Sequence, residues 1–196
     1  MFLKEFPAPD LGAQDLAAYF EREADTWALV HGLRYAAIAG MVVFFGALHA
    51  RVASGPKGAA AGWATIGLVG GVLHVASLFI TNGIELFAFS DGAYMAAHPD
   101  AFWLVFQMTR VLFTAEIAAW AVLAFGFSIA GWVSGGLPKL IALLGFATAA
   151  LCMASSVFIV SILQDGWAVA LIQFGELAML AWFFSIGVFM LLRGGG

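Results

Sequence analysis

Five stretches of this chain alternate long apolar runs with isolated polar residues, at approximately residues 26–51, 62–90, 101–132, 139–164 and 166–192. Each meets or exceeds the roughly 20 residues that an α-helix needs to cross the hydrocarbon of a bilayer. The second and third are long enough to require tilt or extension beyond it. In the second, polarity is confined to one side: at 100° per residue His74, Ser77, Thr81 and Glu85 fall on one stripe, with Asn82 beside it. Lipid offers no hydrogen bonds, so an imidazole, an amide and a carboxylate at such depth need partners within the protein. The pattern predicts an all-α fold, an integral membrane bundle of five transmembrane helices over residues 26–193 with a polar interior.

The pattern differs ahead of the first span. Over residues 12–25, Leu16, Tyr19 and Phe20 recur at helical spacing while Gln14, Asp15, Glu21, Arg22 and Asp25 face away. An amphipathic surface helix is expected there, within an extracytoplasmic segment 1–25. Residues 1–12 lack the basic region and apolar core of a cleavable signal peptide. The Gly- and Pro-containing stretches 53–61 and 131–138 read as connectors, and Gly67 and Gly71 as a GxxxG pair suited to close helix approach.

Composition reinforces the membrane reading, since the 196 residues are 63% hydrophobic and 10% charged, against roughly 25% charged in a soluble domain. A formal charge of −4 argues against nucleic acid as a partner. The single cysteine, Cys152, excludes an internal disulfide and a cysteine-based metal site. Arg51, Lys57, Lys139 and Arg193 occupy one set of chain ends, whereas 90–100 and 164–166 hold no Lys or Arg. The positive-inside rule then puts the C-terminus in the cytoplasm and the N-terminus outside.

That topology brings Arg34, Asn82, Glu85, Gln107, Arg110, Gln173 and Glu176 into the outer half of the membrane. Two arginines balance two glutamates there, and Arg forks pair bidentately with carboxylates. The expectation is a polar cavity on helices one, two, three and five that binds a small or amphiphilic ligand, for sensing or transport. An ion-pair network that only fixes helix register is the alternative. Glu116 stands apart near the midplane, at the depth of His74, and the two together form a possible proton relay.

Haem needs two histidines at one depth; His49 and His74 lie at different depths, and His31 and His98 remain the only matching pair. His74, Glu85, Glu116 and Glu176 are metal-ligand types without a tight ligand spacing, so no metal is expected. Aromatic residues including Phe87, Phe89, Phe102, Trp103 and Trp167 suit a lipophilic ligand such as a quinone, or an aromatic belt at the interface. No phosphate loop, nucleophile elbow or zinc-protease motif is present. An accessory subunit of a larger membrane complex and a haem- or quinone-linked redox protein stand as alternatives, with either a homo-oligomer or other membrane subunits as partners.

The stretch Gly131-Trp132-Val133-Ser134-Gly135-Gly136-Leu137-Pro138-Lys139, then Gly175-Glu176-Leu177 and the closing Leu191-Leu192-Arg193-Gly194, resembles an uncharacterised family of bacterial multi-pass membrane proteins. The resemblance covers roughly the C-terminal third. It implies a bacterial cytoplasmic membrane and singles out Glu176, and it brings no activity.

Overall fold

The computed structural model describes residues 13–54, 58–163 and 167–193, and its regular structure there is entirely helical. The order is α1 (Ala13–Ala53), α2 (Gly58–Ser90), α3 (Gly92–Ala97), α4 (Pro99–Ser134), α5 (Lys139–Val157), α6 (Ile159–Leu163) and α7 (Val169–Arg193). α1, α2, α4, α5 and α7 are long and apolar enough to cross a membrane, as the five apolar stretches require.

Local chemistry sets the ends. α4 opens with Pro99 in its first turn, where a missing N–H costs nothing. It closes at Gly135, whose φ of 73° is the left-handed conformation that glycine adopts without penalty. Pro138 then stands at the N-cap of α5. Between α2 and α4 the sequence predicts only a loop; instead, the Asp91 side chain accepts a hydrogen bond from the Tyr94 N–H (3.1 Å) and starts the short α3.

Two further boundaries differ from the apolar pattern. The stretch 13–25, read as a separate surface helix, is continuous with the first span, because no Gly or Pro interrupts the chain between Ala13 and His31. Its apolar face is spent on protein: Leu16, Tyr19 and Phe20 are buried with Ala88, Met95 and Phe102. The fourth span breaks at Phe158. There Ser155 and Ser156 turn their hydroxyls back onto the carbonyls of Leu151 and Cys152 (both 2.9 Å), a local competition that bends helices. Residues 1–12, the Lys57 connector and 164–166 lie outside the described residues.

α4 is the most buried helix, packing against α1, α2, α3, α5 and α7. α2 lies between α1 and α4, and α5 between α4 and α7. Rings close the circuit, with Phe183 of α7 against Phe44 and Phe45 of α1. The α2–α4 crossing is backbone on backbone: a Cβ on Gly70 would sit 2.4 Å from the Leu123 nitrogen, and one on Gly126 would sit 2.3 Å from that of Gly67.

Length divides the bundle. At 1.5 Å per residue α1, α2 and α4 measure about 60, 50 and 54 Å, whereas α5 and α7 measure about 28 and 38 Å. The helices are level where Arg51 donates to the Gly136 carbonyl (3.2 Å) and lies over Phe189. At the other end the three long helices and α3 overshoot the short pair and enclose their own aromatic core around Phe20, Phe89 and Phe102.

Candidate functional site

α2 carries its polar stripe into two seams. Toward α1, the Arg34 guanidinium donates to the Glu85 carboxylate, whose side chain is 9% exposed. One turn away, His31 Nδ1 lies 2.6 Å from Asn82 Oδ1, and the Asn82 amide donates to the His31 carbonyl (3.4 Å). An amide oxygen only accepts, so His31 carries its proton on Nδ1. That leaves Nε2 buried without a partner. The ring stacks on Trp27, which in turn stacks on Phe89 and donates to the Tyr19 hydroxyl.

Toward α4, His74 is buried between Glu116 and Trp120. Its Nδ1 lies 2.9 Å from Glu116 Oε1 and 2.6 Å from Trp120 Nε1. An indole N–H only donates, so the aligned Trp120 contact makes Nδ1 the acceptor and His74 a neutral imidazole with its proton on Nε2. The Glu116 approach is close but off the hydrogen-bonding axis, and both of its buried carboxylate oxygens lack an aligned donor. Glu116 and Trp120 are four residues apart and so share one face of α4. Glu176 of α7, half-buried, lies within electrostatic reach of both Glu116 and the buried Cys152 of α5.

Between the two seams the stripe is continuous. Ser77 donates to the Leu112 carbonyl of α4 (3.4 Å), and the Thr81 hydroxyl is buried without a partner. The remaining polar residues from the sequence pattern are placed differently. Gln107 and Gln173 are exposed on the outside of the bundle. Arg110 is half-buried, with its guanidinium over the Phe106 ring at 5.8 Å. Arg34 and Glu85 are thus brought together, as are His74 and Glu116, with Glu176 within electrostatic reach of Glu116. The structure does not gather all eight residues around one space.

His31 and His98 occupy different surroundings. His31 is sealed in the α1–α2 seam, while exposed His98 stacks on Tyr94 and bonds the Tyr94 carbonyl (2.9 Å). Among the described residues no group of three or more His, Cys, Asp and Glu side chains could hold a metal ion. Sequence reasoning missed Trp120, the residue that fixes the His74 tautomer. Its signal was available in the i, i+4 spacing from Glu116, but seven tryptophans in an apolar chain make any one of them look like packing. Comparison with protein-family models, with curated proteins and with solved structures finds no match, so the chain's own geometry carries the functional reading.

Proposed function

We propose that this chain is a non-enzymatic multi-pass protein of the bacterial cytoplasmic membrane, with its N-terminus outside and its C-terminus in the cytoplasm. In this reading it takes up a proton at His74 and couples that event to the sensing or transport of a small or amphiphilic ligand. The observation that carries the reading is the double claim on His74 Nδ1, with Trp120 Nε1 at 2.6 Å and Glu116 Oε1 at 2.9 Å.

The two neighbours suit opposite protonation states. A neutral imidazole accepts from Trp120. An imidazolium has hydrogen on both nitrogens and no acceptor left, so its Nδ1–H must leave the indole and turn to the Glu116 carboxylate in a charge-assisted bond. Proton uptake therefore exchanges one α4 partner for another one turn away. The groups that bear on this centre are Glu116 of α4 and Glu176 of α7, with Cys152 of α5 beside Glu176 and the apolar Phe45 ring from α1. The exchange takes place one turn from Gly70, where α2 and α4 touch backbone to backbone. A change of partner there bears directly on how these two helices seat.

Indole ¹⁵N–¹H spectra of the tryptophan-labelled protein, titrated with acid, test this reading. The chain has 7 tryptophans, and the signal of Trp120 is identified by its loss in Trp120→Phe. That signal should move with pH in the native protein and stay fixed in His74→Gln. A Trp120 signal that does not respond to pH in the native protein would remove the basis for a proton-linked function.

A further inference from the structure

On the face of the bundle away from the His74 centre, α2, α4 and α5 leave a groove of about 460 Å³. Ala149 and Ala150 form part of its floor, where short side chains leave room, and Ile66, Phe125, Phe146 and Met153 wall it. Nothing in its lining calls for a polar ligand. Phe146 and Met153 stand seven and fourteen residues beyond Lys139, so the groove runs from about 10 to 21 Å above that lysine. With Lys139 at the edge of a hydrocarbon core roughly 30 Å thick, this is the deep part of that leaflet and the midplane.

A charge stands beyond the near end of the groove, at the start of α5. The Lys139 ammonium lies 5.7 Å from the Trp132 ring centre, Trp132 approaches Phe146, and Phe146 approaches Phe125, giving an unbroken aromatic path from the cation to the groove. Among the described residues no carboxylate forms an ion pair with Lys139. The sequence places Arg51, Lys57, Lys139 and Arg193 at this end of the helices, and no Asp or Glu lies between Arg51 and Gly83, between Ile117 and Gln164, or after Glu176. Arg51 is already engaged by the Gly136 carbonyl, whereas Lys139 is exposed beside the groove.

We infer that this groove holds one acyl chain of an anionic glycerophospholipid whose phosphate is bound by Lys139. The charge complementarity selects the head group: a basic residue at the membrane surface favours an anionic lipid, and an apolar groove that begins about 10 Å deeper, past the Trp132 and Phe146 rings, takes the chain attached to it. The inference does not depend on the proton chemistry at His74.

The experiment is native mass spectrometry of the full chain, reconstituted in bilayers of equal parts phosphatidylglycerol and phosphatidylcholine with the same acyl chains and then released. The native protein should retain phosphatidylglycerol over phosphatidylcholine by about fivefold, the preference expected from one basic residue near the surface. Lys139→Gln should bring the ratio to parity and Lys139→Arg should keep it. Ala150→Phe, which fills the groove from an exposed position, should reduce retention of both lipids. Equal retention by the native protein, or an undiminished preference in Lys139→Gln, would overturn the head-group assignment. Unchanged retention in Ala150→Phe would overturn the groove.

Discussion

At the scale of the residue, two buried polar pairs dominate, and they differ in kind. Arg34–Glu85 joins a full cation to a full anion across the α1–α2 seam, with the arginine still about a quarter exposed. Removing one member strands the other charge, and breaking such pairs typically costs about 3–5 kcal/mol. Thermal unfolding in detergent should show Arg34→Leu destabilised by about 3 kcal/mol, at the low end of that range because water reaches the guanidinium. Replacing both residues by leucine should recover most of the loss, since an apolar pair of similar volume tolerates the same seam. Ligand binding that stays lost in the stable double variant would mark the pair as functional rather than structural. His74–Glu116 is different because a third group, Trp120, competes for the same nitrogen. The sequence brings His74 and Glu116 to one depth through a simple count of residues along two antiparallel helices. The competing indole is invisible to that count, because it depends on the side-chain directions of two facing helices.

At the scale of the element, the α2–α4 crossing holds the bundle together. Gly67, Gly70 and Gly126 allow the two backbones to touch, and a methyl group on Gly70 would meet the Leu123 nitrogen at 2.4 Å. The helices would have to separate, since a backbone atom cannot rotate away. Gly70→Ala should therefore destabilise the protein by about 1–3 kcal/mol, the usual range for overpacking. Gly187→Ala, with nothing within 4 Å of its added carbon, should be neutral or slightly stabilising because alanine favours helix over glycine by about 1 kcal/mol. Similar losses at both positions would show that helix propensity rather than close approach governs the crossing. The GxxxG spacing of Gly67 and Gly71 pointed to this face of α2. It did not single out Gly70, because in a chain with 23 glycines only the facing backbone distinguishes a contact glycine from an incidental one.

At the scale of the whole molecule, three long helices overshoot two short ones, and the cations gather at the level end. Positive-inside retention would keep that end in the cytoplasm. In a Cys152→Ala background, a membrane-impermeant thiol reagent should label Asp91→Cys on intact cells and Ser54→Cys only after permeabilisation. The reverse pattern would invert the assigned topology and put the overshooting core in the cytoplasm. The continuity of α1 belongs to this scale as well. The acidic stretch 13–25 reads locally as a helix lying flat on lipid, yet with α3 and the start of α4 beside it the same apolar face is covered by Met95 and Phe102. A membrane surface and a protein surface ask for the same amphipathic pattern, so the pattern alone does not choose between them.

The number of spans, the all-helical class and the partition of polar residues onto narrow faces follow from the sequence alone. Hydrocarbon thickness and the cost of unpaired backbone groups leave a chain this apolar few other ways to fold. Depth along each helix is also a one-dimensional property, which is why His74 and Glu116 were legible as a pair. The rotation of each helix about its axis, and the order of neighbours around the bundle, were decided only by tertiary packing. Those choices turned Gln107 and Gln173 outward, put Glu176 within electrostatic reach of Glu116 and set Trp120 against His74. Helices with broad apolar surfaces lack a single face that must be buried, so their rotation is set by contacts between small residues and by the few polar groups that must find each other.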